Sequence, residues 1–473
     1  MLRSALLFLV SFFILISCSS RSWMDYNGAH TSTLVVDKTR YKERLEGFWL
    51  GQSIANWTGL VTEMDKIGGD GPQGEFYTRD DWGKRDQPSI WGEGVPSRLS
   101  STIDWVFEDE YGHWGADDDT DIEYLYLHLL TKHKSIYLTP LQIQKGWLKH
   151  IYSDDNTPFV NKKGEKENYL WVSNQQAFDL MQKGMLPPAT SNPAYNPHYD
   201  MIDAQLTTEI FGLFAPGRPD VALKMAELPI TTTAREDARW AAEFYVVMYS
   251  LAASLTPENA NSENIRKLAN LARTRLPEAS YVAKMYDFVA QKYDEGLTWE
   301  ATRDAVYQRY QVEQQDGYDM SSRGLYCNGC FASGINFAAS IISLLYGGGD
   351  YQDTVKIAVL TGWDADNPAA TWGGMLGFIY GKPALEAQFK REFSSIFNIH
   401  RTRGNFANDG LDSFERMATK GMRISERVLK TIPGTSLTDS HWRIPLATPP
   451  VATAVLPAGY RQHRSVTNAP LGN

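Results

Sequence analysis

The chain has 473 residues, 43% of them hydrophobic, and a formal net charge of −10. That length and apolar content suffice for one large domain or two ordinary ones. The acidic balance excludes nucleic acid or an anionic membrane surface as the main partner, because both demand basic surface. The 14 Trp, 24 Tyr and 20 Phe leave two uses open, since large rings serve a core or a sugar-stacking cleft equally well.

The N-terminus reads as a targeting segment. Arg3 gives a short positive start, and residues 5–16 are almost wholly apolar. That run is too short for a permanent membrane helix and suits a signal peptide. It ends at Leu15-Ile16-Ser17-Cys18, which resembles the bacterial lipobox. The resemblance implies a signal peptide over 1–17, cleavage before Cys18 and lipidation of its thiol. Ser19, where an Asp would suggest inner-membrane retention, favours the outer membrane. The alternative is an ordinary secretory signal with a chance cysteine. Residues 18–40 read as a tether, and the expected location is the cell envelope, lipid-anchored.

Apolar residues recur at helical spacing over 41–64, 120–133, 203–215, 235–255, 262–275, 279–294, 331–346, 350–361, 367–380 and 411–430, with few period-two alternations. The expected fold class is all-α, a single helical domain over 41–430 with long loop insertions. One insertion spans 65–116, rich in Gly, Pro, Asp and Trp; a second irregular stretch spans 154–200. Pro445, Pro449, Pro450 and Pro457 predict an extended tail over 431–473. Cys327 and Cys330 form a lone Cys-x-x-Cys, too little for a zinc site or a thioredoxin-like centre. It reads as a local disulfide or two small buried residues.

Two predicted helices carry small residues every four positions: Gly47, Gly51, Ala55 and Gly59, then Ala369, Gly373, Gly377 and Gly381. Such spacing puts each set on one face. A helical glycine costs about 1 kcal/mol relative to alanine, so close approach of another backbone is the expected compensation.

Acidic residues cluster twice, each time before a helix. Asp117-Asp118-Asp119-Thr120-Asp121 precedes the apolar series Ile122, Leu125, Leu129 and Leu130, and Asp364-Ala365-Asp366-Asn367-Pro368 opens the second glycine helix. Helix N-termini favour one or two acids, but carboxylates packed together repel unless a cation or protons intervene. Hard divalent cations choose oxygen ligands. Two such loops would suit two metal ions; plain solvated caps are the other reading.

Three motifs in order resemble the ADP-ribosylglycohydrolase family, over roughly 41–385. Residues 47–63 (Gly47-Phe-Trp-Leu-Gly51 through Glu63) look like its opening helix. Asp118-Asp119-Thr120 resembles its Thr-Asp-Asp-Thr motif, and Gly362-Trp363-Asp364-Ala365-Asp366-Asn367 its Gly-Gly-Asp-Thr-Asp-Thr start. The segment 203–253 looks like its central helix pair. The resemblance implies an orthogonal helical bundle of the family's type holding two divalent cations, Mg²⁺ before Mn²⁺ or Ca²⁺. It implies Asp117, Asp118, Asp119, Asp364, Asp366 and Asn367 as ligands and Glu63 as the substrate-facing glutamate. The implied chemistry is hydrolysis at the anomeric carbon of a ribose-like sugar, with Asp119 and Asp364 as candidate catalytic carboxylates and Glu63 orienting the sugar. The sequence departs from the family at Asp117, Asn367 and Asn56, in place of Thr, Thr and Asp.

The expected partner is an ADP-ribosylated substrate or, given the envelope signal, a furanose-containing glycan. Trp114, with Trp82, Trp91 and Trp105, is expected to offer stacking surfaces, and Trp363, beside Asp364, to face substrate. A Ca²⁺-stabilised binding lipoprotein is the reading from another class.

Overall fold

The computed structural model describes residues 32–460, apart from 91, 93–98, 162–163, 320–328, 453–455 and 457–459. The signal peptide, Cys18, most of the tether, Trp91 and Cys327 lie outside the described residues. Strand β1 (Thr33–Asp37) runs into helix α1 (Lys38–Gly59), which Asp37 caps by accepting the Arg40 N–H at 2.8 Å. The helices that follow are α2 (Asp121–His133), α3 (Pro140–His150), α4 (Ser173–Gln182), α5 (Ile210–Phe214), α6 (Pro219–Thr233), α7 (Glu236–Ala252) and α8 (Ser262–Arg273). Then come α9 (Tyr281–Asp294), α10 (Trp299–Val306), α11 (Ser333–Gly347), α12 (Tyr351–Thr361), α13 (Asp366–Tyr380), α14 (Lys382–Phe389) and α15 (Phe414–Leu429). The class is all-α, as the periodicity predicts. Among the described residues, two small three-stranded sheets accompany the helices. One contains β2 (His113–Gly115), β3 (Ile396–Asn398) and β4 (Leu411–Ser413); the other joins β1 to β5 (Ser436–Leu437) and β6 (His441–Pro445).

Helices α1, α7, α11 and α13 form the centre, and α13 is buried from Asp366 to Ile379. A helix apolar or small all round belongs in a core rather than on a surface. The two glycine stripes explain how two buried helices meet. A methyl group at Gly47 would lie 2.3 Å from the Gly377 carbonyl oxygen, and one at Gly51 would lie 2.4 Å from that of Gly373. One at Gly59 would lie 2.3 Å from the Asp366 Cα. Contacts that rise along α1 as they fall along α13 make the pair antiparallel. The compensation expected for these glycines is therefore each other. Arg44 locks the far end, donating to the carbonyls of Phe378, Ala253 and Ala252 at 2.8–3.0 Å.

Two sequence expectations change. Residues 33–37 are strand rather than tether, and α1 begins at Lys38, inside the expected tether. The tail does not simply cross the surface: β6 pairs antiparallel with β1, Leu34 opposite Ile444, and Trp442 and Ile444 are fully buried. The proline count concealed the short alternation His441-Trp442-Arg443-Ile444. Helices α3, α4, α6, α10 and α14 also went unpredicted; they are short, polar or, in α6, interrupted by Pro229.

Candidate metal centre

Antiparallel packing of α1 on α13 brings the end of one helix to the start of the other, and the acids sit at that junction. Past Gly59 the chain turns through Glu63, and Met64 donates its N–H to the Trp363 carbonyl at 2.9 Å. Trp363 in turn donates its N–H to the Lys66 carbonyl at 2.6 Å. Met64 and Trp363 both hold left-handed backbone, φ 57° each, a conformation costing roughly 1–3 kcal/mol for residues with a side chain. The paired turns thus aim Glu63 and Asp364 at one point. Thr62 adds a third tie, its hydroxyl donating to the Val359 carbonyl at 2.6 Å.

Glu63, Asp364 and Asp366 each place a carboxylate oxygen within 4.8 Å of the others. The Asp117–Asp119 loop meets them from the start of α2. Glu63 feels the charges of Asp366, Asp364, Asp118 and Asp117, and Asp119 feels Asp366, Asp117, Asp364 and Asp118. Burial first, and these neighbours second, hold the carboxyls of Glu63, Asp118, Asp119 and Asp364 well above the ordinary range. Burial likewise raises Asp366, against a hydrogen bond with Asp119 that lowers it. Asp117 is raised by burial and held back by Asn56 and by its own loop. Its Oδ1 accepts from the Asp119 N–H at 3.1 Å and the Thr120 hydroxyl at 3.3 Å. The structure therefore groups Glu63, Asp364 and Asp366, with Asp117, Asp118 and Asp119 close enough to act on them electrostatically. Asn367 sits in the first turn of α13 with Oδ1 3.5 Å from Gln205 Nε2. The N-cap of α13 is Ala365.

Whether these residues suit a cation is decided by their unmet bonding. Asp117 Oδ2, Asp119 Oδ2 and Asp366 Oδ1 are buried without a hydrogen-bond partner. A buried, unpartnered carboxylate oxygen is costly. An all-oxygen group of this kind fits a hard divalent cation. The N-termini of α2 and α13 add positive dipole ends. Asp119, Asp364 and Asp366 are buried while Glu63, Asp117 and Asp118 are partly exposed, so the cluster opens on the Glu63 side.

Trp114 and Trp363, expected to face substrate, are buried in the core instead. Trp114 is fully buried, with its indole N–H on the Ser394 carbonyl at 2.8 Å and its ring 5.5 Å from Trp57. Trp363 is fully buried with its N–H on Gln311 Oε1 at 2.7 Å and its ring 4.9 Å from Phe76. Neither has a free face. Trp82 packs edge-on to Trp105, and Trp105 lies over Tyr351. Trp82 and Trp105 fasten the 65–116 loop to α12 and α14 through Lys356, Tyr351 and Phe389, since a loop of that length must carry its own apolar contacts.

Several supporting residues carried no sequence motif. Asn336 accepts the Asp364 N–H at 3.3 Å and donates to the Cys330 carbonyl at 2.6 Å. Asp203 bears electrostatically on Asp364 and accepts from the Ser173 hydroxyl at 2.7 Å and the Asn174 N–H at 3.1 Å. Asp121, the last acid of its cluster, faces away to a fully buried ion pair with Arg403 at 2.9 Å. Arg403 also donates to the carbonyls of Asn168 and Tyr169 at 2.7 and 2.8 Å. Only the acidity of the 117–121 run hinted that one member needed a cationic partner. Cys330 is disulfide-bonded.

An all-helical body with a carboxylate cluster between two helix starts defines a class of protein built around an acidic, cation-compatible site. Residues 37–416 match the family model described as ADP-ribosylglycohydrolase. The chain belongs to that family, a family of hydrolases. A solved structure titled "ADP-ribosylglycohydrolase-related protein complex" is 16% identical, covering 82% of this chain and 99% of that one, with a TM-score of 0.41. No curated protein matches the chain.

Proposed function

We propose that the chain is a divalent-cation-dependent hydrolase that cleaves a glycosidic bond at the anomeric carbon of a ribose-like sugar. The observation that carries this is the convergence of Glu63, Asp364 and Asp366 within 4.8 Å, beside the unpartnered oxygens of Asp117, Asp119 and Asp366. Asp366 faces both Asp119 and the Glu63–Asp364 pair, the position a ligand shared by two cations would need. Asp117, Asp118, Asp119, Asp364 and Asp366 would hold the cations, with Asn367 as a further oxygen donor. When bound, such ions polarise substrate oxygens and lower the pKa of a water. Asp119 or Asp364 takes the proton of the attacking water as general base. Glu63, partly open to solvent, orients the sugar. The surrounding carboxylates stabilise the positive charge that develops at the anomeric carbon.

The second reading is a glycan hydrolase on the same fold, favoured by the signal that ends at Cys18 and would carry the chain out of the cytoplasm. A purely structural cation site would enclose its ligands, whereas this one opens at Glu63. The test is sugar release from ADP-ribosyl-arginine, ADP-ribosyl-serine and aryl pentofuranosides, by metal-stripped protein and after adding Mg²⁺, Mn²⁺ or Ca²⁺. Release that requires a cation supports the proposal. Release from furanosides alone selects the second reading, and no release from any substrate contradicts both.

A further inference from the structure

Asn56 lies in the last turn of α1, fully buried, and neither end of its carboxamide has a hydrogen-bond partner. An unpaired buried amide is costly, so what it faces matters. Its neighbours on α1 fix that direction. Trp57 donates its indole N–H to the Gly115 carbonyl at 3.0 Å, at the end of β2 that leads to Asp117. Gly59 meets the Asp366 backbone, where a methyl group would lie 2.3 Å from Cα. Successive helical residues are about 100° apart, which puts Asn56 between the directions of Trp57 and Gly59. Asn56 therefore faces the angle between the Asp117 loop and the start of α13. It lies close enough to Asp117 to lower that carboxyl, but forms no aligned hydrogen bond with it, and Asp117 Oδ2 is also buried without a partner.

We infer that Asn56 is a further member of the cation site, giving its Oδ1 to a cation and steadying Asp117 through Nδ2. This rests on the cation-dependent reading and deepens it. A carboxamide offers an acceptor for a hard cation and N–H donors for a carboxylate. The assignment accounts for three unmet atoms together: Asn56 Oδ1, Asn56 Nδ2 and Asp117 Oδ2. It also limits the charge. Glu63, Asp364, Asp366 and the acids at 117–119 already act on one another here. A further carboxylate at 56 would meet Asp117 directly, and like charges repel. Positions 56 and 117 are two of those at which the sequence departs from the family, with Asn for Asp and Asp for Thr. The acid has crossed the contact from α1 to the loop, which leaves the pair with one carboxylate and one neutral partner.

The test is calorimetric titration of Mn²⁺ into metal-stripped protein, together with melting of the metal-free forms. The proteins are wild type, Asn56→Leu, Asn56→Asp and the exchange that combines Asn56→Asp with Asp117→Asn. Asn56→Leu removes an unpaired buried amide, so the metal-free variant should melt no lower than wild type. Its Mn²⁺ affinity should nevertheless fall about tenfold or more, the scale for groups that orient metal ligands. A residue that only supports the fold would lower both. Asn56→Asp sets two carboxylates in contact and should melt lower without metal. The exchange restores one acid and one amide, so it should recover that melting temperature and bind Mn²⁺ more tightly than Asn56→Leu. Asn56→Leu that binds Mn²⁺ as tightly as wild type, or an exchange that melts no higher than Asn56→Asp, would overturn the pairing and leave the cation site in place. If Asn56→Leu does not fold, the exchange alone decides. Wild type that binds no Mn²⁺ would sink the cation reading itself, and this inference with it.

Discussion

The backbone N–H of Met64 meets the carbonyl of Trp363 at 2.9 Å, and that bond sets Glu63 beside Asp364. Both residues hold left-handed backbone. Non-glycine residues keep such a conformation only where the surrounding structure over-determines it, often at functional sites. Here the surroundings are the α1–α13 glycine seam below and the buried Trp363 ring above.

The seam should be intolerant of a single methyl group. Gly51→Ala and Gly373→Ala each force a Cβ against backbone or Ala55 at 2.2–2.4 Å. Overpacking of this kind costs about 1–3 kcal/mol. Both variants are expected to melt below wild type and to bind divalent cations more weakly, because helix separation moves Glu63 away from Asp366. Thermal denaturation with and without Mg²⁺ checks this; an unchanged melting temperature would show that the seam has slack.

Removing one acid should have opposite effects with and without cation. Asp364 is buried among Asp366, Asp118, Asp203 and Asp117, which raise its pKa after burial does. Asp364→Asn relieves that repulsion, so the metal-free variant should gain on the order of 1 kcal/mol of stability while losing cation-induced stabilisation and sugar release. Loss of stability in the metal-free variant would mean the carboxylate is satisfied by protein groups alone.

The buried pair Asp121–Arg403 should behave as a structural clamp. Truncating one partner of a buried ion pair leaves the other charge uncompensated, at about 3–5 kcal/mol. Arg403→Met is expected to destabilise on that scale and to loosen the carbonyls of Asn168 and Tyr169. The double variant Arg403→Met with Asp121→Asn should recover part of the loss in a urea-unfolding cycle. Strict additivity of the two single variants would contradict the coupling.

A histidine pair sets a pH limit. His128 and His150 meet edge-on at 4.9 Å, and His150 stacks on Phe406 at 4.0 Å. Burial pushes both down to about 4: at His128 the neighbouring His150 and lysines add to it, and at His150 Lys149, Lys132 and His400 add to it against a hydrogen bond with the Gly404 carbonyl that raises it. Their folded pKa values lie below the unfolded value of about 6.5, so the contribution to stability is fully present above pH 6.5. It is lost as pH falls toward 4. His150→Gln should flatten the decline of melting temperature over that window relative to wild type. An equal decline in both would assign the acid sensitivity to other groups.

Much of this was readable in the chain. Helical periodicity gave the class, and the four-residue glycine rhythm at Gly47–Gly59 and Ala369–Gly381 foretold a tight backbone contact. What periodicity does not specify is the partner, which only the three-dimensional pairing of α1 with α13 supplies. The acids were visible because carboxylates so close in sequence need a reason. Their supports were not, because Asn336, Asp203 and Arg403 lie far from them in sequence and look like ordinary polar residues. The tryptophans misled for a physical reason: a Trp-rich loop reads the same whether its rings face a ligand or staple the loop to its own core.

Glu63, Asp364, Asp366 and the Asp117–Asp119 loop are proposed to form one cation site. Calorimetric titration of Mn²⁺ or Mg²⁺ into metal-stripped protein tests it most directly, for wild type and Asp366→Asn. Wild type should bind two ions saturably and the variant should lose both, since Asp366 faces both halves of the cluster. Binding that is absent in wild type, or undiminished in Asp366→Asn, would contradict it.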